Sequence, residues 1–127
     1  MKLHGVELFA GGGGFLLGSS LAGVDHVAAV EWNRWACQTM RENAAVRHRL
    51  VDGLKVIEGD VRDVNWGDIV GDVDIDLVTG GPPCQPFSLG GLARSADDPR
   101  DMFPAMTEVI AELRPKAFIV ENVKGLT

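Results

Sequence analysis

The chain has 127 residues, of which 46% are hydrophobic and 24% are charged, a composition that excludes a disordered segment. This length fits one domain, residues 1–127, because most domains contain about 100 to 150 residues. The formal net charge of −6 argues against strong independent binding to nucleic acid, since phosphate contacts draw their affinity from Lys and Arg.

Short apolar runs alternate along the chain with longer amphipathic runs. This alternation predicts βα units and a parallel sheet, and therefore an α/β domain. No repeat or low-complexity tract marks a linker. The predicted strands are all short and lie at residues 6–9, 27–31, 56–58, 75–79 and 118–121.

Three helices are predicted between these strands. The first covers residues 14–22 and stops at Gly23. The last covers residues 103–113, with Pro104 in its first turn, where the missing N–H costs little. Residues 63–71 indicate at most one short helical turn.

The middle helix is predicted to begin after Asn33, which can cap it, and to run to about residue 48. Apolar residues recur along it at helical spacing and are expected to face the sheet. They are Trp35, Ala36, Met40 and Ala44.

Four consecutive glycines follow the first predicted strand in ELFAGGGGFLLG, residues 7–18. The stretch fails the dinucleotide fingerprint GxGxxG, because Leu16 stands where the third glycine would be, and it lacks the Gly-Lys-Ser/Thr of a P-loop. Glycines between a strand and a helix allow a tight turn and close approach of a ligand. We favour a ligand site over a simple tight turn.

Acidic and aromatic residues follow the next two strands. Glu31 lies twenty residues after Gly11, the spacing at which an acidic residue reaches ribose hydroxyls in mononucleotide-binding folds. Trp32 offers an aromatic face for an adenine, and Asp60 can accept hydrogen bonds from its amino group. Alternatively, Glu31 is a solvated strand end, Trp32 a core residue and Asp60 part of a turn. Their shared position at strand ends favours a nucleoside site.

Cys84 lies in GGPPCQPFS, after the fourth strand, among prolines that restrict the backbone and glycines that permit close approach. The loop leaves the sheet at the edge where the ligand site is expected, which favours a nucleophilic thiol. The alternative is a buried structural cysteine, which fits Cys37 better. The two cysteines form no CxxC pair, so we expect reduced thiols and no bound metal.

The fifth strand ends in FIVENV, residues 118–123. Glu121 can act as an acid or hold a substrate ring by hydrogen bonds, and Asn122 can fix neighbouring backbone. Alternatively, the pair only caps a following helix or turn. The expected proximity of Cys84 favours the catalytic interpretation.

No apolar run approaches the roughly 20 residues needed to cross a bilayer. The first ten residues also lack the apolar stretch and cleavage site of a signal peptide. We therefore expect a cytoplasmic protein without membrane contact.

Together these motifs resemble the DNA (cytosine-5) methyltransferase family, in the N-terminal part of its catalytic domain. ELFAGGGGF is similar to its S-adenosylmethionine loop, VEWN to its ribose-binding strand end, GDV to its adenine contact, GPPCQPFS to its nucleophile loop and ENV to its catalytic glutamate motif. The resemblance implies a Rossmann-like S-adenosylmethionine-dependent methyltransferase fold. Its parallel sheet would have helices on both faces and would be truncated after the fifth strand.

The resemblance also implies a reaction, in which a methyl group passes from S-adenosylmethionine to carbon 5 of a flipped cytosine in double-stranded DNA. The implied catalytic residues are Cys84, Glu121 and Asn122. Ser88 and Arg100 would contact the DNA backbone. The implied cofactor-binding residues are Phe9, Ala10, Gly11, Gly13, Gly14, Glu31, Trp32, Asp60, Val61 and Pro83.

The chain departs from the family at its end, where the family continues with more strands, an Arg-x-Arg motif, a DNA-reading domain and a late segment beside the cofactor loop. We therefore expect it to act within a longer or split enzyme, with a complementary subunit supplying these parts. Alone it should bind S-adenosylmethionine weakly and methylate nothing. The alternative is a non-catalytic cofactor-binding or regulatory module; a dehydrogenase-like module is disfavoured by the missing GxGxxG.

Overall fold

The computed structural model describes residues 2–46, 51–83 and 102–121. The chain order of the elements within these ranges is β1 (Leu3–Leu8), α1 (Gly14–Leu21), β2 (Val24–Glu31), α2 (Arg34–Ala45), β3 (Lys55–Glu58), a 3-10 turn (Val61–Asp63), α3 (Trp66–Val70), β4 (Leu77–Gly80), α4 (Phe103–Leu113) and β5 (Ala117–Val120).

The strands form one sheet in the order β3-β2-β1-β4-β5, and every neighbouring pair is parallel. The predicted parallel sheet is therefore confirmed. β2 and β3 lie in turn on one side of β1, and β4 and β5 lie in turn on its other side. The direction of the strand order therefore reverses at β1. Open α/β sheets bind ligands at such a switch point, beyond the carboxyl ends of the strands.

Helices cover both faces of the sheet, as predicted. Val6 and Val78 belong to one core, together with Trp66 of α3 and Met106 of α4. The opposite face forms a second core, in which Ala29 of β2 meets Leu16 of α1 and Met40 of α2. Since side chains alternate along a strand, β2 contributes Val30 to the first core and Ala29 to the second.

The strand bounds differ slightly from the prediction. β4 begins at Leu77 rather than at residue 75, and β5 covers Ala117–Val120 rather than 118–121. The ladder nevertheless extends further, because the Glu121 N–H donates to the Gly80 carbonyl (2.9 Å) and the Asp76 N–H donates to the His4 carbonyl (2.8 Å). Glu121 thus lies directly after the last ladder position, as expected.

Helix α2 begins as predicted but presents a different face to the sheet. Asn33 caps it, since its Oδ1 accepts hydrogen bonds from the N–H groups of Trp35 and Ala36 (both 3.0 Å). Cys37 and Met40 are the buried residues of α2, whereas Trp35 is 65% exposed. The prediction that Trp35 faces the sheet is wrong, because Trp35 lies roughly 140° around the helix from Met40.

The other helices follow the sequence signals. Helix α1 ends at Leu21, and Gly23 adopts φ = 105° just beyond it. Helix α4 has Pro104 in its first turn and ends at Leu113. Residues 63–71 hold α3, whose first turn is capped by Asn65. No helix in the described ranges has the length and apolar character to span a membrane.

A buried histidine links α1 to β2. His26 is 5% exposed, and its two ring nitrogens lie 3.2 Å from the hydroxyls of Ser19 and Ser20. Burial lowers the pKa of His26 to about 4, although the nearby Asp25 carboxylate opposes this shift. The ring is therefore neutral at physiological pH and fixes the second half of α1 on the sheet.

Candidate functional site

The loops that leave the carboxyl ends of the strands enclose one cavity of about 320 Å³. Six of the predicted cofactor-binding residues line it: Phe9, Glu31, Trp32, Asp60, Val61 and Pro83. A volume of roughly 300 Å³ or more is typical of small-molecule sites. The sequence prediction that these strand ends converge is therefore supported by the positions of the side chains.

The turn after β1 has a constrained backbone. Phe9 adopts φ = 55°, Gly11 φ = 57° and Gly13 φ = 97°. A bulky residue such as Phe rarely adopts this left-handed conformation, and such strain is concentrated at functional sites. The turn is held on β2, because the Ala10 N–H donates to the Val30 carbonyl (3.1 Å).

Glu31 connects the glycine turn to α2. Its Oε1 accepts a hydrogen bond from the Gly11 N–H (3.0 Å), and its Oε2 accepts one from the Asn33 N–H (2.7 Å). The carboxylate is thus oriented by backbone on both sides and is not simply a solvated strand end. An ionised carboxylate has about four lone-pair sites, so each oxygen can still accept a bond from a ligand hydroxyl.

Trp32 is 63% exposed although it lines the cavity. The alternative interpretation of Trp32 as a core residue is therefore wrong. An exposed indole at the rim of a cavity provides an apolar face on which a planar ring can stack.

Asp60 also lines the cavity and caps the 3-10 turn, since its Oδ1 accepts from the Arg62 N–H (2.9 Å). The Arg62 guanidinium also donates to both oxygens, with Nη2 2.6 Å from Oδ2. Hydrogen bonding to Arg62 lowers the pKa of Asp60 below its ordinary value. Asp60 is therefore an ionised acceptor in a fixed orientation.

A second cavity of about 200 Å³ adjoins the first through Phe9 and Gly81, which line both. It contains two carboxyl groups, those of Glu7 and Glu121, and is also lined by Ala10 and Phe15. Glu121 is thus placed next to the cavity that holds the predicted cofactor-binding residues.

Two glycines, Gly80 at the end of β4 and Gly81 just after it, permit this arrangement. A Cβ on Gly81 would lie 3.3 Å from Glu121 Oε2, and a Cβ on Gly80 would lie 2.9 Å from the Leu8 carbonyl oxygen. The absence of side chains lets β4 approach β1 and lets Glu121 lie against the loop, as the sequence predicted for a Gly-Gly pair.

Glu7 is a functional candidate that the sequence reasoning missed. It is 1% exposed, its Oε1 accepts a hydrogen bond from the Thr79 hydroxyl, and its Oε2 has no partner among the described residues. Burial raises its pKa to about 7, although hydrogen bonds from Thr79 and the Leu16 backbone oppose this shift. An acidic residue inside an apolar strand was the signal that could have identified it.

Four further residues line the first cavity without having been predicted: Val30, Gly59, Gly81 and Met102. Met102 reaches it because its N–H donates to the Pro83 carbonyl (3.1 Å), a long-range contact with no local sequence signal. Conversely, three predicted cofactor-binding glycines line neither cavity. Gly11 lies in the turn after β1, Gly13 is the N-cap of α1, and Gly14 is its first residue.

Several predicted site residues lie outside the described ranges. They are Cys84, Ser88, Arg100 and Asn122. Pro83, the residue before Cys84, lines the first cavity. The other cysteine, Cys37, is buried in α2, where its thiol donates to the Glu31 carbonyl (3.1 Å) and burial raises its pKa. Cys37 is therefore the structural cysteine, as predicted.

Comparison with known proteins identifies the fold class. A candidate DNA modification methyltransferase encoded within an E. coli prophage has a similar structure, with a TM-score of 0.79 and 33% identity over 99% of this chain and 33% of that one. The Dnmt2 methyltransferase of S. pombe has a TM-score of 0.65 and 25% identity over 98% of this chain and 36% of that one. The fold is thus the Rossmann-like fold of methyltransferases.

The sequence model described as C-5 cytosine-specific DNA methylase matches residues 3–127. The chain belongs to this family, as its motifs predicted. It is 43% identical to the Type II methyltransferase M.NgoMIV of Neisseria gonorrhoeae over 99% of this chain and 37% of that protein. It is 40% identical to the Type II methyltransferase M.AquIA of Picosynechococcus over 95% of this chain and 48% of that protein. The chain therefore spans between about a third and a half of these relatives.

Proposed function

We propose that this chain provides the cofactor site and the catalytic residues of an enzyme that methylates carbon 5 of cytosine in DNA. The observation that carries the proposal is the convergence of strand-end residues on one cavity, with the carboxyl group of Glu121 beside it. Family membership supplies the reaction class.

The cavity residues suit the parts of S-adenosylmethionine. Trp32 offers a stacking face for the adenine, Glu31 has acceptor sites for ribose hydroxyls, and Asp60 can accept from the adenine amino group. The bound cofactor would supply a methyl group made electrophilic by its sulfonium. Since Phe9 and Gly81 border both cavities, the reacting end would lie towards Glu121.

The chain's own residues would then activate the base. The Cys84 thiolate would add to carbon 6 of the flipped cytosine, and carbon 5 would take the methyl group as its bond to the cofactor's sulfur breaks and leaves a neutral thioether. Glu121 hydrogen-bonds to the ring and stabilises the charge that develops there. Loss of the carbon 5 proton and expulsion of the thiolate restore the aromatic ring and release Cys84.

We further propose that the enzyme is longer than this chain or consists of two chains. The matched relatives are two to three times as long, and the net charge of −6 leaves little cationic surface for DNA phosphates. A complementary polypeptide would therefore supply much of the contact with double-stranded DNA. A cytoplasmic location stays a prediction.

Cofactor binding can be tested with a matched pair of tryptophans. Trp32→Ala should weaken S-adenosylmethionine binding about tenfold, because aromatic stacking on a base is worth roughly 1–3 kcal/mol. Trp35→Ala removes an equally exposed indole outside the cavity and should leave the affinity unchanged. Isothermal titration with S-adenosylmethionine measures the affinity of both variants. A separate titration with NAD tests the alternative ligand class. Equal effects of the two substitutions, or preference for NAD, would contradict the proposed site.

The nucleophile can be tested by trapping. The chain, mixed with the remaining part of a relative or joined to it, is incubated with S-adenosylmethionine and duplex DNA containing 5-fluorocytosine, from which no carbon 5 proton can leave. A covalent adduct should form, persist in Cys37→Ala and disappear in Cys84→Ser. Cofactor binding without any adduct would favour the non-catalytic module instead.

A further inference from the structure

Arg62 supplies the hydrogen bonds that the described residues make to the Asp60 carboxylate. Its backbone N–H donates to Oδ1 (2.9 Å), its Nε lies 3.0 and 3.1 Å from the two oxygens, and its Nη2 lies 2.6 Å from Oδ2. The guanidinium folds back onto a carboxylate only two positions earlier in the chain. The orientation of this carboxylate therefore depends on one neighbouring residue.

These contacts leave the carboxylate little spare capacity. An ionised carboxylate has about four lone-pair sites. The hydrogens on the backbone nitrogen, Nε and Nη2 of Arg62 occupy most of them, so about one acceptor site remains. The Asp60 side chain is 22% exposed and lines the first cavity, whereas Arg62 is 50% exposed and does not line it. A ligand in the cavity is thus offered a single acceptor site.

The backbone at Asp60 is held by contacts that do not involve the guanidinium. The Gly59 N–H donates to the Glu31 carbonyl (3.0 Å), and the Asp63 N–H donates to the Asp60 carbonyl (3.0 Å). Val61 is 3% exposed and belongs to the first core. Loss of the guanidinium would therefore free the carboxyl group to rotate without displacing this wall of the cavity.

A single acceptor site on an ionised carboxylate selects for an N–H donor. Hydrogen bonding to Arg62 keeps the pKa of Asp60 below its ordinary value, so at neutral pH the carboxylate has no proton to donate. The 6-amino group of adenine fits such a site, whereas a purine without this group leaves the acceptor unpaired. Sites built to hydrogen-bond a ligand group discriminate against analogues that lack it.

We propose that Arg62 is a positioning residue for cofactor selection, which holds the Asp60 carboxylate with one acceptor site free for the 6-amino group of the base. Arginine suits this role better than lysine, because its planar fork donates from Nε and Nη2 to both carboxylate oxygens. This inference rests on the proposed function, which brings the adenine of S-adenosylmethionine into the first cavity. It goes beyond that function by assigning base selectivity to a residue that does not line the cavity.

The test compares S-adenosylmethionine with an analogue that carries hydrogen in place of the 6-amino group. Isothermal titration of the chain gives both dissociation constants, and their ratio is the base preference. The wild type should prefer S-adenosylmethionine about tenfold, and Arg62→Ala should reduce this preference to about twofold, because a rotating carboxylate makes a weaker hydrogen bond. Arg62→Lys keeps the charge without the fork and should lose most of the preference as well.

Arg41→Ala is the matched control. The Arg41 side chain is also 50% exposed and also contacts a carboxylate, with Nη1 2.9 Å from Glu58 Oε1, but Glu58 does not line the first cavity. Its removal should leave the preference unchanged. In an Asp60→Asn background, Arg62→Ala should change the preference by less than about twofold, since Arg62 acts through the carboxylate.

The ratio separates positioning from a structural effect, because a damaged fold weakens the binding of both ligands equally. The inference is overturned if the wild type shows no preference, or if Arg62→Ala or Arg62→Lys retains it in full. A higher preference in Arg62→Ala also overturns it, since the guanidinium would then compete with the base for Asp60. In these cases S-adenosylmethionine still binds and the proposed function stands. A wild type that binds neither ligand overturns both proposals.

Discussion

At the scale of single residues, Gly80 and Gly81 show how closely the loops of the site approach one another. Gly80 pairs with Leu8, which precedes the glycine turn, and a Cβ on Gly81 would lie 3.3 Å from the carboxylate of Glu121. Gly80 and Gly81 thus lie between the glycine turn after β1 and the end of β5. Small displacements here would move groups on both sides of the cavities.

Gly80→Ala tests this close approach. The added Cβ would lie 2.9 Å from the Leu8 carbonyl oxygen and 3.3 Å from the buried Met106, so backbone must move. We expect a loss of about 1–3 kcal/mol in the free energy of unfolding, as for other overpacked sites, measured by urea denaturation. Gly18→Ala is the control, and it should stabilise the chain by about 0.5–1 kcal/mol because its site is open and helical.

At the scale of secondary structure, the sequence predicted each strand and each long helix because their end signals are local. Asn33 caps α2 through its own side chain, and Gly23 ends α1 through its own backbone conformation. Burial is not local: Trp35 was expected to face the sheet but is exposed. Spacing gives a helical face only to within about one residue, and tertiary packing selects among the candidates.

Asn33→Ala tests the cap of α2. Removing Oδ1 leaves the N–H groups of Trp35 and Ala36 without their acceptor, which should cost about 1 kcal/mol of stability. Asn33→Ser retains an acceptor and should lower the stability by only a few tenths of a kcal/mol, since Ser and Asn cap almost equally well. Urea midpoints of the three proteins provide the comparison. Equal midpoints for Ala and the wild type would show that the cap contributes nothing.

The candidate site was predictable where a candidate residue lies at or just beyond the carboxyl end of a strand, as Glu31 and Asp60 do. The parallel sheet itself brings such residues to one edge. Glu7 and Met102 could not be predicted in this way. Glu7 depends on the buried contact with Thr79, and Met102 depends on the bond to the Pro83 carbonyl; both contacts join parts of the chain that are distant in sequence.

At the scale of the whole molecule, two buried groups have opposite effects on stability as pH changes. The pKa of His26 is lowered from 6.5 to about 4, so its contribution is present above pH 6.5 and is lost as pH falls towards 4. The pKa of Glu7 is raised from 4.5 to about 7, so its contribution is present below pH 4.5 and is lost as pH rises through 7.

Between pH 4.5 and 6.5 these two dependences should largely cancel, and the wild type should show a nearly flat stability profile. Glu7→Gln retains a polar group opposite Thr79 but does not titrate. Its stability should rise across this range by up to about 1.4 kcal/mol per pH unit, owing to His26 alone. Urea unfolding at several pH values measures the difference. Parallel profiles for the variant and the wild type would show that Glu7 is not buried with a raised pKa.

The parallel sheet has one further consequence, for engineering. Residues 71–74 form an exposed turn between α3 and β4. They lie at the amino ends of the strands, on the rim opposite the cavities. Exposed turns of this kind tolerate insertions. A fluorescent reporter or a programmable targeting module could therefore be inserted there, where it would not obstruct access to the pocket.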